Sequence, residues 1–214
     1  MARGEYLYAV GDPMVSLYAL RSGSAKIYQP TPSGDDQVLG FCLPGELIGF
    51  DAVEAGWHNC AAVALESTSV CELPYKGLEE LCHECPGLDH AIHRLFAREI
   101  TSDHALLQVL GKKSAEERLG CFILNLSQRF RRRGFSEHEF NLSMSRNDIA
   151  NHLGLAVETV SRVFARFHES GLLTVKRRHI EIHDLERFRD ALGECPLDQI
   201  CSRLSGDENH GHDD

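Results

Sequence analysis

The sequence has no apolar run approaching the ~20 residues that a membrane-crossing helix needs. Its first ten residues, MARGEYLYAV, do not read as a signal peptide. These absences exclude a spanning or exported protein and point to the cytoplasm. Histidine is sparse at the start, with His58 the only one before His83. That excludes the several-ligand metal site of a cupin-like enzyme barrel. No phosphate-cradling glycine loop and no nucleophile paired with a base are found, so nothing supports catalysis. Basic charge is also short, with 22 Lys and Arg against 32 Asp and Glu and a net charge of -10. Taken whole, that balance argues against a nucleic-acid partner.

Divided along the chain, the balance reads differently. Residues 1–111 carry 6 basic against 15 acidic groups, and residues 180–214 carry 3 against 10. Between them, residues 112–179 carry 13 against 7. The basic groups cluster as Lys112 and Lys113, Arg129 to Arg133, and Lys176 to Arg178. Such clusters supply attraction to phosphate and a dependence on salt.

From Glu5 to about Pro74 the text consists of short apolar runs broken by Gly, Pro and Asp, among them YLYAV, VSLYAL, AKIYQ, QVLGFCL and AAVALE. Many short strands at even spacing indicate a β-roll or jelly roll. From Tyr75 the pattern turns helical, with one segment ending at Pro86 and a long one reaching about Leu110. Phe96, Ile100, Asp103, Leu107 and Leu110 are spaced four, three, four and three along it. That is a heptad seam, and it predicts dimerisation through this helix; the plainer alternative is a core stripe packed on the β-roll. Across a two-fold axis Asp103 faces its own copy, and two close carboxylates resist ionising together.

The most informative stretch is SRNDIANHLGLAVETVSRVFARFHESG, Ser145 to Gly171. Ser145 is an N-cap, and Asp148 sits three residues on. Gly154 breaks the first helix and a second begins at Val157, with Val160, Phe164 and Phe167 as its buried stripe. Glu158, Ser161 and Arg162 fall on another face of its first turn and a half. This is the layout of a helix-turn-helix, in which the start of the second helix meets base edges in the major groove. Arg suits guanine, Glu suits cytosine, and Ser serves either role. A plainer reading pairs Glu158 with Arg162 at i,i+4. Ser114 to Phe130 reads as a preceding helix, and LLTVKRRHIEIH as two strands around a basic turn, the wing of a winged helix. GDENHGHDD closes the sequence as an acidic tail.

The blocks SLYALRSGSAKIY, ELIGFDA, VCELP, KKSAEERLGCFILNLSQRF and SRNDIANHLGLAVETVSRVFARF resemble the CRP/FNR superfamily, and in particular its FNR/ANR branch of anaerobic regulators. The resemblance runs from about Glu5 to Gly193. It implies an α+β chain. A cyclic-nucleotide-binding-domain-like β-roll would occupy residues 1–85, a dimerisation helix 86–112, a winged helix-turn-helix 113–193 and the acidic tail 194–214. It implies a homodimer on double-stranded DNA of TTGAT-N4-ATCAA type, recruiting RNA polymerase. Glu158, Ser161 and Arg162 would read bases, with Ser145 and Arg146 also at the DNA. Gly34, Asp35 and Asp36 match the polymerase-contacting loop, and Asp103 the acidic position of the dimer helix.

In that branch three cysteines near the N-terminus and a fourth in the β-roll hold an oxygen-labile [4Fe-4S] cluster. Cys71 matches the fourth, and the sequence starts downstream of where the others would lie. It therefore reads as a fragment or truncated start, or else as a chain whose sensor is lost, since the cluster takes four thiolates. Eight cysteines without an export signal should be reduced thiols or metal ligands. Cys82 and Cys85 have a zinc or redox spacing but straddle a helix end at Pro86. Cys42, Cys60 and Cys121 sit among apolar neighbours and read as core thiols, while Cys195 and Cys201 fall outside the resemblance. Rival sensors are a haem- or nitric-oxide-responsive regulator with His58 or a cysteine as ligand, and a cyclic-nucleotide sensor. The last would need an arginine for the cyclic phosphate, and residues 45–66 contain none.

Overall fold

The computed structural model describes residues 1–31, 34 and 36–198. Asp35 of the predicted polymerase loop lies outside the described residues, as do Cys201, His210 and His212 of the tail. The chain divides into two compact units, Met1–Arg94 and Leu95–Asp214. Among the described residues, no helix is long and apolar enough to cross a membrane.

The first unit is a roll of antiparallel strands. One sheet has the order β1 (Tyr6–Tyr8), β6 (Ala61–Ala64), β3 (Ala25–Pro30), β4 (Asp36–Cys42). The other has the order β5 (Leu47–Ile48), β2 (Ser16–Ser22), β7 (Ser69–Pro74). Alternation along each strand sends one set of side chains inward. Tyr8, Ala25, Cys42 and Ala62 from the first sheet therefore meet Leu20 and Ile48 from the second in one core, with Cys60 beside them. The expected β-roll is thus present, and Cys42 and Cys60 are core thiols as expected.

The turn between β2 and β3 shows why the register holds. Gly23 has φ +79, and a Cβ there would lie 2.5 Å from Ser67 O and from Thr68 Oγ1. Thr68 Oγ1 in turn donates to Ser24 O at 3.1 Å. Gly23→Ala meets both the left-handed backbone cost and the overlap, so it should destabilise this unit by about 2–4 kcal/mol. A lowered urea midpoint at unchanged m-value is the readout.

Helix α1 (Tyr75–Glu84) ends at Cys85, and α2 (Pro86–Lys112) begins at once, with Pro at a helix start where its missing N–H costs nothing. The second unit adds α3 (Ala115–Arg131), β8 (Glu139–Asn141), α4 (Arg146–Leu153), α5 (Val157–Glu169), β9 (Leu173–Lys176), β10 (His179–Ile182) and α6 (Leu185–Leu192). Its sheet runs β8, β10, β9, all antiparallel. The expected apolar face of α3, Leu119, Phe122, Ile123 and Leu126, is buried. Phe167 of α5 packs edge-on to Phe188 of α6, with ring centres 5.3 Å apart. This places four helices and a small sheet around one core, the scaffold of a winged helix-turn-helix.

Candidate nucleic-acid interface

The two helices of the motif are held by local devices written in the sequence. Ser145 Oγ accepts from Asp148 N at 3.1 Å, and Asp148 Oδ2 accepts from Ser145 N at 3.0 Å, a reciprocal capping box. Gly154 closes α4 at φ 62, in the left-handed form that glycine takes without strain. Arg118 of α3 then donates from Nη1 to Leu153 O at 3.1 Å, satisfying a carbonyl that the helix end leaves open. Helix α5 buries Val160, Val163, Phe164 and Phe167 along one stripe.

Opposite that stripe, Glu158, Ser161 and Arg162 are all exposed at the N-terminal end of α5. Arg162 Nη2 donates to Thr159 Oγ1 at 3.1 Å, and no ion pair joins it to Glu158 among the described residues. The i,i+4 pairing is therefore not what these side chains do. Ser161 Oγ donates to Val157 O at 3.0 Å, which parks its proton on the helix and leaves its lone pairs outward. The three predicted readers thus share one solvent-facing patch, with donor and acceptor capacity unspent.

Ser145 and Arg146, expected at the DNA, are both half-buried and make contacts within the unit. The Ser145 hydroxyl is taken up by the cap, donating to Asp148 Oδ2. The Arg146 guanidinium lies 3.4 Å over the Phe164 ring, a cation–π contact with the reading helix. Its Nη2 donates to Arg177 O at 3.3 Å, while its buried Nη1 has no hydrogen-bond partner. Burial pushes the Arg146 guanidinium down to about 10. It thus lines a groove of about 240 Å³ with Ser161, Phe164, Ala165, His168 and Val175, between the reading helix and the wing.

The wing is the β9–β10 hairpin, with His179 opposite Lys176 and Arg177 and Arg178 at its tip. Arg177 has φ 57, the one positive φ outside glycine among the described residues. A long basic side chain at a position that favours Gly or Asn holds strain of order 1 kcal/mol, and presents a guanidinium at the tip.

The other expected sites are dispersed over the first unit and α2. Cys71 is exposed on β7, opposite Ala19 of β2. Gly34 and Asp36 are exposed at the start of β4. On α2, Ile100 and Leu107 stand 56% and 66% exposed in the single chain, and Asp103 is exposed between them. The residues that α2 buries are Ala105 and Val109, on another face.

His58, the haem candidate, is already committed. It is 1% exposed, stacked on Tyr8 at 3.7 Å, and its Nδ1 meets Asp51 Oδ1 at 3.2 Å. Asp51 also accepts from Asn59 N and Cys60 N. Burial, with the Asp51 carboxylate beside it, pushes the Cys60 thiol up to about 12. Glu46, in the turn where a cyclic nucleotide would be met, accepts from Leu43 N at 2.9 Å.

Comparison with known proteins agrees with this geometry. Residues 1–85 match the cyclic nucleotide-binding domain family, and residues 117–191 match the Crp-like helix-turn-helix domain family. The Fumarate and nitrate reduction regulatory protein of Escherichia coli K12 is 48% identical over 191 residues, 89% of this chain and 76% of that one. The chain belongs to the CRP/FNR family of transcription regulators. Transcriptional activator protein anr of Pseudomonas aeruginosa is 47% identical over 86% of this chain and 75% of its own length. Among solved structures, FixK2 from Bradyrhizobium japonicum superposes with a TM-score of 0.80 at 29% identity, covering 90% of this chain and 95% of that one. The CRP/FNR fold therefore carries the α4–α5 pair described above, in a family of transcription regulators rather than enzymes.

Sequence reasoning missed the Arg146–Phe164 stack and the Arg118 bond to α4. Residue spacing does not carry either one, since each joins helices that only the fold brings together.

Proposed function

We propose that this chain is a homodimeric, cytoplasmic DNA-binding regulator of the FNR/ANR type, reading a TTGAT-N4-ATCAA-like palindrome in double-stranded DNA. The observation that carries the reading is the shared exposure of Glu158, Ser161 and Arg162 at the start of α5. Arg162 reads guanine, Glu158 accepts from cytosine, and Ser161 adds an acceptor. Ser145 and Arg146 act through the helix they hold: the first caps α4 and the second braces α5 against the wing. Lys176, Arg177 and Arg178 meet phosphate. In the domain assignment proposed here, residues 1–85 form the effector roll, 86–112 the dimer helix, 113–193 the reader and 194–214 the tail. The unspent apolar side chains Ile100 and Leu107 support pairing of two α2 helices, with Phe96, Asp103 and Leu110 on the same seam. Gly34, Asp35 and Asp36 are assigned to contact RNA polymerase.

The response to oxygen limitation rests on the resemblance to FNR and ANR. The described residues do not fit a four-thiolate cluster. Cys71 offers one exposed thiol, and no group of three or more metal-ligating side chains is gathered among the described residues.

The test is binding of the purified chain to a labelled TTGAT-N4-ATCAA duplex and to a scrambled one, across a salt series, with and without air. Preference for the palindrome with a steep salt dependence is the expected result. Equal, weak binding to both duplexes would overturn the operator assignment. Oxygen-independent binding would remove the oxygen response while leaving the reading helix in place.

A further inference from the structure

Cys121 and Cys195 take no part in reading DNA, yet both are buried, at 0% and 4% exposure, and each thiol is the first influence on the other's ionisation. Cys121 lies on α3, and Cys195 follows the end of α6. The segment carrying Cys195 is laid along α3 at three levels. Leu192 covers Gly120 so closely that an added Cβ would fall 2.2 Å from Leu192 Cδ2. Cys195 then meets Cys121. Beyond it, Asp198 accepts from Gln128 Nε2 of α3 on one oxygen, and from Arg189 Nε at 3.1 Å on the other. The two sulfurs are therefore held together from both sides.

Their surroundings set the two thiols apart. The neighbouring Cys121 thiol lowers Cys195, and backbone groups of Asp198 and Leu197 assist it; burial and the Asp198 carboxylate oppose it. The Cys195 sulfur beside it, together with burial, raises Cys121. Lys113, paired with Glu117 at 2.8 Å, adds positive potential felt at both sulfurs. A thiol whose ionisation is eased beside one whose ionisation is opposed is the arrangement of an attacking and a resolving cysteine.

We propose that Cys121 and Cys195 form a thiol–disulfide couple inside the DNA-binding unit, closed by hydrogen peroxide. The Cys195 thiolate attacks one peroxide oxygen and the O–O bond breaks. The departing hydroxide takes a proton and leaves as water, and Cys195 becomes a sulfenic acid. The Cys121 sulfur then attacks the Cys195 sulfur. The S–S bond forms, the S–O bond breaks, and the hydroxyl leaves as a second water with the Cys121 proton. Two thiols lose two electrons, and one peroxide becomes two waters. Peroxide is small enough to reach a sulfur that is 4% exposed, where a bulky disulfide oxidant is not. The loop so closed contains α4, α5 and the wing, so the bond constrains the whole reading motif when the unit opens.

The experiment is a thiol map of this 214-residue chain before and after brief treatment with hydrogen peroxide. Free thiols are alkylated under denaturing conditions, and the digest is run without reductant. The expected product is a peptide pair joining Cys121 to Cys195 and lighter by two hydrogens, released by dithiothreitol. Cys121→Ser should stop at a sulfenic acid on Cys195, trapped by dimedone, and Cys195→Ser should leave Cys121 alkylated. The inference is overturned if Cys195 is recovered joined to Cys201, or oxidised to the sulfonic acid without a partner. It is equally overturned if both thiols stay alkylatable while Cys82 and Cys85 join. The wild-type map decides even where a variant fails to fold, and no readout involves DNA, so the outcome is separate from that of the operator assignment.

Discussion

Arg162→Ala is expected to lower affinity for the TTGAT-N4-ATCAA duplex by roughly a hundredfold or more while leaving binding to a scrambled duplex nearly unchanged. Arg162 is exposed and, among the described residues, its side chain is tied to Thr159 Oγ1, a bond it can exchange for a base edge without unfolding anything. A good bidentate contact discriminates by about 1–3 kcal/mol, and a dimer makes it twice, once in each half-site. Lys176→Ala or Arg178→Ala should act differently. Each removes a phosphate contact at the wing, weakens both duplexes alike, and makes the salt dependence shallower. Titrating the variants on both duplexes at two salt concentrations separates the classes. An Arg162→Ala chain that lost affinity equally on both duplexes would mean that Arg162 meets phosphate, and the reading assignment would move to Glu158 and Ser161.

That contrast explains what the sequence made legible. The reading helix was visible because its devices are local: the Ser145–Asp148 cap, the break at Gly154 and the stripe of Val160, Phe164 and Phe167 all act within one or two turns. The strands of the roll announced themselves through Gly and Pro punctuation for the same reason. Arg146 did not. Read in sequence, it is a cation at a helix start facing DNA; in the fold, Phe164, eighteen residues on, turns up beneath its guanidinium. The same applies to Cys195, which had no assignment until α6 carried it back onto α3. Long-range partners of this kind depend on how elements pack, and no periodicity records them. The seam on α2 is an intermediate case. Its heptad spacing was plain, but the exposure of Ile100 and Leu107 is what distinguishes it from a core stripe.

On that seam the second large effect is expected: Asp103→Asn should tighten self-association by roughly tenfold to a hundredfold, because like charges brought opposite each other cost an interface free energy. Asp103 lies between Ile100 and Leu107, so pairing of α2 with its copy brings two carboxylates together. Desolvation already raises the Asp103 carboxyl in the single chain, and His104 partly offsets it. A facing carboxylate would raise it further, so the dimer holds its proton more firmly than the free chain does. Association then takes up protons, and dimerisation must strengthen as pH falls from neutral towards the range in which Asp103 titrates. In Asp103→Asn that part of the pH dependence should vanish while the tight dimer remains. Sedimentation equilibrium across pH on both chains measures the two effects together. If Asp103→Asn associates no more tightly than the parent and keeps the same pH profile, Asp103 does not face its copy. Leu107→Glu then becomes the discriminating variant: it should abolish a dimer built on the exposed α2 seam and spare one built elsewhere.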